Sequence, residues 1–293
     1  MAPNPFVGGY RPETDMTDPL DPDRASYYQT MIGVMRWMVE IGRIDIANEC
    51  SLLSSHLAYP REGNFECVLH MMGYLKWKNK SWLFFDPTYP DIDFDTFNDG
   101  AEWKTFYGNA TKAIPPNAPD LRGKSVDLRI WVDSDHAGDK MTRRSCTRYF
   151  ILLNTTLIDW LSKKQATIEG SVFGAEFVAM KTGVEALRGI RYKLRMMGVP
   201  LTGPTYIYGD NISVIYNTLR PESTLKKKSN SIFHHAVREA VASGECLTMH
   251  CKTGENYSDM TTKVLYRHKK RDNVARILYD IWDHEDGPET AKG

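Results

Sequence analysis

The feature that most constrains the fold is an alternation of short apolar runs and amphipathic stretches that begins near residue 125. Three runs rich in β-branched and aromatic residues follow one another with short polar turns between them: DLRIWVDS, RYFILLN and TLIDWLS. This pattern predicts three antiparallel strands. The next stretch, SVFGAEFVAMKTGVEALRGIRYKLRMMG, has apolar residues at helical spacing, and Gly198 is placed to end a long helix.

The remainder of this region continues the same alternation. TYIYGD and CLTMHCK predict a fourth and a fifth strand, and NISVIYNTL and SIFHHAVREAVASG predict the helices between them. Two further helices are expected from about Ser258 and Arg271. The pattern as a whole predicts an α/β domain with five strands and flanking helices.

The N-terminal third has a different character. Apolar residues recur at helical spacing from Tyr27 to Leu75, which predicts a small, mainly helical domain, and SWLFFDP adds a short strand. A chain of 293 residues suggests about two domains. The predicted organisation is an extended lead-in at 1–25, the helical domain at 26–85, a linker or loose connection at 86–124, the α/β domain at 125–270, and a C-terminal helix and tail at 271–293.

Composition excludes several classes of protein. The 37 basic and 37 acidic residues cancel, so a nucleic-acid partner has to be argued from local clusters. The five cysteines are scattered and form no C-x-x-C pair, which argues against a zinc site and a disulfide framework. No signal peptide and no run of about 18 apolar residues is present. An intracellular location without a membrane partner is therefore expected.

The stretch VDSDHAGD places acidic residues directly behind the first predicted strand of the α/β domain. Its D-x-D-x-x-G pattern opens an EF-hand calcium loop. Counting from Asp133, however, the fifth and twelfth positions of such a loop hold Ala137 and Arg144, which cannot supply the required oxygen ligands. Asp135 and Asp139 are interpreted as solvated turn residues, with contact to metal-bound water as the alternative.

Four carboxylates fall where predicted elements begin or end: Asp133, Glu176, Asp210 and Asp259. If the first and fourth strands are neighbours, these residues can converge at one end of the sheet. Converging carboxylates repel one another, and an all-oxygen site favours Mg²⁺ or Mn²⁺. Two such ions about 4 Å apart support attack of water on a phosphodiester, which predicts a nuclease. The alternative is a set of strand-end and helix-cap residues.

Two basic clusters are candidates for phosphate contacts. Lys226, Lys227 and Lys228 lie between the third and fourth acid, and Arg143 and Arg144 follow the first strand. A solvated charged face remains the alternative for the lysines, and a turn cap remains the alternative for the arginines.

The order of several blocks resembles the RNase H domain of copia-type LTR retrotransposon polyproteins: VDSDHAGD, RRSCTRYFILLN, IDWLSKKQ, GSVFGAEFVAMK, IYGDNISV and YSDMTTKVL. The N-terminal part resembles the end of the reverse transcriptase that precedes this domain in those polyproteins. The resemblance implies an RNase H-like mixed five-stranded sheet flanked by helices. Carried over by motif, the metal-binding and catalytic acids of the family fall on Asp133, Glu176, Asp210 and Asp259.

The resemblance also implies a function: cleavage of the RNA strand of RNA–DNA hybrids with two Mg²⁺ or Mn²⁺ ions. The implied partners are the hybrid and the rest of a retroelement polyprotein, including its polymerase palm and integrase. The cytoplasm, in a virus-like particle, and the nucleus are the implied locations. A decayed element that binds duplex without cleaving it is the alternative function. A polymerase is disfavoured, because no Asp-Asp dipeptide occurs in the chain.

Overall fold

The structure is a computed structural model and describes residues 2, 4–90, 102–112, 114–225, 231–252, 256–258 and 278–279. The chain divides into two compact units. The first contains the described residues of Met1–Phe84, Asp139–Arg143 and Met260–Gly293, and the second contains those of Phe85–Gly138 and Arg144–Asp259.

The first unit is built on three helices: α1 (Pro22–Glu40), α2 (Ala47–Ser54) and α3 (Glu62–Trp77). The Asp21 side chain caps α1 by accepting a hydrogen bond of 3.0 Å from the backbone nitrogen of Arg24. Its core consists of buried apolar side chains from all three helices, among them Ile32, Leu53 and Met71. The helical prediction for this region is confirmed.

The predicted extended lead-in has more tertiary contact than its composition indicates. Phe6 is only 2% exposed, and residues 12–14 form a 3₁₀ turn. The Tyr10 hydroxyl donates to Asp15 at 2.6 Å and accepts from the Asn64 amide of α3 at 2.8 Å. The lead-in is therefore anchored to α3 by polar partners that are remote in sequence.

The first unit also contains a two-stranded sheet. The short strand β1 (Trp82–Leu83) pairs antiparallel with the strand Leu278–Tyr279. The predicted helix from Arg271 is therefore wrong at residues 278 and 279. Helical spacing of apolar residues does not reveal that a remote strand offers its backbone hydrogen-bonding groups to this segment.

The second unit contains a mixed sheet of five strands: β2 (Leu128–Asp135), β3 (Cys146–Leu153), β4 (Thr156–Lys164), β5 (Thr205–Gly209) and β6 (Cys246–His250). Their order across the sheet is β4-β3-β2-β5-β6. The first three strands are antiparallel, whereas β5 pairs parallel with both β2 and β6. The predicted mixed five-stranded sheet is confirmed.

The described residues of this unit include four helices: α4 (Trp103–Tyr107), α5 (Val172–Met196), α6 (Ile212–Leu219) and α7 (Ser231–Ala242). The long helix α5 contacts β2, β3 and β5, and α6 and α7 pack against it. Alternate residues of β2, such as Ile130 and Val132, join Phe177 and Met180 of α5 in the buried core. Gly198, with φ of +75°, follows α5 as predicted.

The predicted connection at 86–124 contains a helix that the sequence pattern did not indicate. Trp103 of α4 packs against the core, and the Arg238 guanidinium of α7 lies 5.5 Å from the centre of its ring. This aromatic and cationic contact orders α4 despite its short length. No helix within the described residues is both long enough and apolar enough to cross a bilayer.

Helix α5 packs closely against the sheet at Gly183. A β-carbon at this position would lie 2.7 Å from Cγ1 of Val132 and 3.3 Å from Cδ1 of Ile130. Replacing glycine by alanine normally stabilises a helix by about 1 kcal/mol. Because the clash with β2 costs more, we expect Gly183→Ala to lower the free energy of unfolding by roughly 1–2 kcal/mol in urea titrations.

Gly189 of the same helix provides the matched control, because it is exposed and a β-carbon added there would have no neighbour within 4 Å. Gly189→Ala should leave the protein equally stable or stabilise it. Equal effects of the two substitutions would contradict the close packing of α5 on β2.

Candidate functional site

Three of the four predicted carboxylates meet at one edge of the mixed sheet. Asp133 lies near the end of β2, Asp210 follows β5 directly, and Glu176 lies in the second turn of α5. Because β2 and β5 are parallel neighbours, their carboxyl ends share this edge. One carboxylate oxygen of each residue lies within 4.8 Å of the other two.

Local structure fixes the elements that carry these side chains. Ser171 caps α5 by accepting a hydrogen bond from the Gly174 backbone nitrogen at 3.1 Å. Asn211, next to Asp210, caps α6 by accepting from the Ser213 nitrogen at 3.1 Å. Asp210 is therefore held between the end of a strand and the start of a helix.

The electrostatics of the cluster are unfavourable without a cation. Asp133 and Glu176 are 6% and 7% exposed, and Asp210 is half-buried. Burial, followed by the nearby charges of Asp133 and Asp210, raises the pKa of Glu176 to about 9. The proton held by Glu176 at neutral pH lowers the repulsion among the three groups.

The donor set of this cluster fits a divalent cation. Carboxylate oxygens are the ligands that Mg²⁺ and Mn²⁺ prefer, and each of the three residues offers one oxygen within 4.8 Å of the other two. A bound cation would remove the repulsion that raises the pKa of Glu176. Among the described residues, this is the one group of three acidic, histidine or cysteine side chains with such spacing.

The fourth predicted carboxylate, Asp259, lies outside the described residues. The segment just before it is described and is tied to β2. Ser258 is buried and donates from its nitrogen to the Asn256 side-chain oxygen at 3.1 Å. The Asn256 amide nitrogen in turn donates to the Val132 carbonyl at 3.1 Å, one residue before Asp133.

Asp135 does not behave as the predicted solvated turn residue. It is the last residue of β2, and its carboxylate accepts a hydrogen bond from the Cys146 nitrogen and pairs with Arg148 at 3.5 Å. Burial raises the pKa of Asp135, while Arg148 opposes that rise. The prediction failed because Arg148 lies on the neighbouring strand, opposite Asp133 in register.

The other predicted residues that follow β2 in the sequence are half-buried or exposed. The Asp139 carboxylate accepts hydrogen bonds from the backbone nitrogens of residues 141 and 142 at 2.9 and 2.8 Å, which is the expected turn geometry. Arg143 and Arg144 are exposed, and Arg143 has a positive φ of 57°. The lysines at 226–228 lie outside the described residues.

Sequence reasoning missed two buried amides beside the carboxylates, Asn256 and Gln165. Gln165 donates from Nε2 to the Thr147 hydroxyl and to the Ala175 carbonyl, both at 3.0 Å. The one signal in the sequence is that Gln165 ends the SKKQ block between a strand and a helix. No local sequence pattern indicates which groups its amide contacts.

The sequence has relatives among plant transposons. The retrovirus-related Pol polyprotein from transposon RE1 of Arabidopsis thaliana is 26% identical over 267 residues, which is 91% of this chain and 15% of that polyprotein. The corresponding polyprotein from transposon RE2 of Arabidopsis thaliana is 30% identical over 146 residues, which is 50% of this chain and 10% of that polyprotein. The homologues of this chain are retrovirus-related Pol polyproteins. The predicted resemblance to copia-type retrotransposon polyproteins is confirmed.

A third relative comes from another plant. The polyprotein from transposon TNT 1-94 of Nicotiana tabacum is 26% identical over 244 residues, which is 83% of this chain and 15% of that polyprotein. The chain thus spans about one seventh or less of the length of these relatives. No protein-family model matches it.

Solved structures with partial similarity include RNase H domains. The N-terminal RNase H domain of a Mycobacterium tuberculosis protein, fused to maltose-binding protein, is 11% identical, with a TM-score of 0.36 over 52% of this chain and 98% of that chain. RNase H1 from Halobacterium salinarum is 11% identical, with a TM-score of 0.33 over 45% of this chain and 90% of that chain.

The raised pKa of Glu176 predicts a pH dependence of stability. An unfolded glutamate titrates near pH 4.3. Between that pH and about 9, the folded metal-free protein binds a proton at Glu176 that the unfolded chain does not, so its stabilising effect is lost as the pH rises. We expect the free energy of unfolding of the metal-free protein, relative to Glu176→Gln, to fall from pH 5 to pH 9.

Urea titrations in EDTA across this pH range measure the difference. Glu185→Gln is the matched control, because Glu185 lies on the same helix and is exposed. Parallel pH profiles for the unsubstituted protein and Glu176→Gln would show that the Glu176 carboxyl is not perturbed by its neighbours.

Proposed function

We propose that the second unit is a divalent-metal-dependent endoribonuclease that cleaves the RNA strand of RNA–DNA hybrids during reverse transcription of a retrotransposon. The observation that carries this proposal is the convergence of Asp133, Glu176 and Asp210 at the carboxyl ends of β2 and β5. The Pol polyprotein homologues support a retroelement setting.

The carboxylates would serve as ligands and not as covalent participants. Two bound Mg²⁺ or Mn²⁺ ions would activate water and stabilise the charge on the leaving oxygen. Asp133, Glu176 and Asp210 would hold these ions through their oxygens, and Asp259 is proposed as a further ligand. Glu176 would lose its proton when the site is occupied, because a cation favours the charged carboxylate.

The proposed substrate is recognised by shape and not by base sequence. An RNA–DNA hybrid presents 2′-hydroxyl groups on one strand, and these distinguish RNA from DNA. Arg143, Arg144 and the lysines at 226–228 are proposed to contact the phosphates. The first unit is proposed to help hold the duplex without chemistry of its own, as a remnant of the reverse transcriptase.

Two other functions remain distinguishable by experiment. A decayed element would bind duplex without cleaving it, and the three convergent carboxylates argue against this alternative. Nucleotide incorporation by the purified chain would indicate a polymerase, which the missing Asp-Asp dipeptide disfavours. Location in the cytoplasm or the nucleus stays a prediction.

The decisive substitution is Asp210→Asn, which is isosteric but neutral. We expect cleavage of a labelled RNA–DNA hybrid to fall at least a hundredfold with either Mg²⁺ or Mn²⁺, because charge stabilisation in the transition state is lost. The metal-free variant should be no less stable than the unsubstituted protein, because removing the charge of Asp210 relieves its repulsion with Asp133 while Glu176 holds a proton. Activity and stability should therefore move in different directions.

Controls separate this result from damage to the fold. Asp120→Asn makes the same chemical change at an exposed position and should leave cleavage unchanged. RNA–RNA and DNA–DNA duplexes should not be cut. Equal cleavage by Asp210→Asn and the unsubstituted protein would refute the assigned site. Binding of the hybrid without cleavage by the unsubstituted protein would favour the decayed element.

Replacing Lys226, Lys227 and Lys228 by alanine should weaken hybrid binding and its dependence on salt. Each lost phosphate contact lowers the slope of log K against log salt concentration by roughly one. Binding isotherms at several salt concentrations measure this slope.

A matched triple substitution tests whether charge alone explains the result. Lys104, Lys124 and Lys193 are exposed on the same unit, and their replacement by alanine removes the same charge. If the slope changes equally in both variants, or in neither, the lysines at 226–228 form a solvated charged face and do not contact phosphates.

A further inference from the structure

Gln165 connects the sheet to the start of α5. It follows β4 directly, and its side chain is 4% exposed. Its backbone nitrogen donates to the Ser145 carbonyl at 2.7 Å. Its Nε2 atom donates to the Thr147 hydroxyl of β3 and to the Ala175 carbonyl of α5, both at 3.0 Å. One buried amide therefore joins two elements of the second unit.

The two acceptors of this amide lie next to the candidate site. Ala175 immediately precedes Glu176, so Gln165 holds the backbone that carries this carboxylate. Thr147 pairs in register with Ser134, the residue after Asp133. The Gln165 amide thus fixes the start of α5 relative to β3, the strand that pairs with β2 beside Asp133.

The hydrogen bonding of Gln165 is costly for a residue that only fills the core. Within the part of the chain that the structure describes, its Oε1 atom is buried and has no hydrogen-bond partner. An unsatisfied buried acceptor is destabilising, and an apolar side chain of the same volume avoids this cost. The two hydrogen bonds donated by Nε2 offset this cost, so the net contribution of the amide to stability is small.

The lack of charge on the Gln165 side chain also affects the carboxylate site. When Glu176 is ionised, as cation binding requires, its repulsion with Asp133 and Asp210 favours movement of the start of α5 away from the strands. A lysine or arginine in place of Gln165 would oppose this movement, but it would also neutralise the acids and compete with a bound cation. A neutral amide restrains the helix and leaves the negative charge of the site intact.

We propose that Gln165 is a positioning residue that holds Glu176 in place for divalent-metal binding, by joining the Ala175 carbonyl to the Thr147 hydroxyl. The inference rests on the proposed function, because it assigns Gln165 to the same carboxylate site. Gln165 acts through the backbone of α5 and contacts neither metal nor substrate.

The test uses Gln165→Met in the full chain, because methionine keeps the volume and removes the donor. Calorimetric titration with MnCl₂ alone should show a dissociation constant for Mn²⁺ about tenfold higher than that of the unsubstituted protein. At a fixed Mn²⁺ concentration below saturation, kcat for hybrid cleavage should fall about tenfold with KM for the hybrid unchanged. The urea midpoint in EDTA should change little, because removal of the unsatisfied Oε1 offsets the loss of the donor to Thr147 and Ala175.

A second pair of variants tests the hydrogen bond between Gln165 and Thr147 by changing its acceptor. Thr147→Val removes the hydroxyl acceptor and should weaken Mn²⁺ binding, whereas Thr147→Ser retains the hydroxyl and should preserve it. Thr218→Val is the control for loss of a buried threonine hydrogen bond, since Thr218 bonds Thr248 of β6 at 2.7 Å. It should leave the dissociation constant for Mn²⁺ unchanged.

The outcomes distinguish this inference from the proposed function. Failure of the unsubstituted protein to bind Mn²⁺ would overturn both. Mn²⁺ binding by the unsubstituted protein with an unchanged dissociation constant in Gln165→Met would overturn the positioning role alone. A lower urea midpoint in Gln165→Met with unchanged Mn²⁺ affinity would show that Gln165 serves stability only. Weaker Mn²⁺ binding with an unchanged midpoint supports the proposal.

Discussion

Repulsion among three carboxylates is the physical constraint on which the second unit depends. Asp133, Glu176 and Asp210 place oxygens within 4.8 Å of one another at an edge that is largely shielded from water. Negative charges this close together, and shielded from water, oppose folding unless a proton or a cation neutralises part of the charge. The raised pKa of Glu176 shows that a proton can do this in the metal-free protein. A divalent ion would do it more completely.

The hydrophobic core supplies the opposing free energy. Apolar residues of β2, β3, β5 and α5 form one buried cluster directly behind the acids. The close approach of Gly183 to Val132 keeps α5 against the sheet, and the amides of Gln165 and Asn256 tie adjoining segments to the same strands. The three acids come from positions far apart in sequence, so the cluster forms only when these elements have assembled. Binding of a divalent metal would therefore be coupled to folding.

Sequence patterns were sufficient for the strands and for the choice of the three acids that the structure describes. Strand and helix patterns are local, but the convergence of Asp133, Glu176 and Asp210 followed only if the first and fourth strands are neighbours, and the pairing of β2 with β5 meets this condition. The pairing of Asp135 with Arg148 and the contacts of Gln165 depend on tertiary neighbours. The same holds for residues 278 and 279, whose strand partner lies almost 200 residues away. Such contacts leave no periodic signal in the sequence.

The central claim is that the carboxylate cluster is a divalent-metal site. Its most direct test is anomalous X-ray diffraction at the manganese edge, from crystals of the protein grown with MnCl₂ and a non-cleavable RNA–DNA hybrid. We expect two anomalous peaks within bonding distance of carboxylate oxygens of Asp133, Glu176 and Asp210. Absence of anomalous density among these three residues, with the hybrid bound and Mn²⁺ present in excess, would show that the cluster is not a metal site.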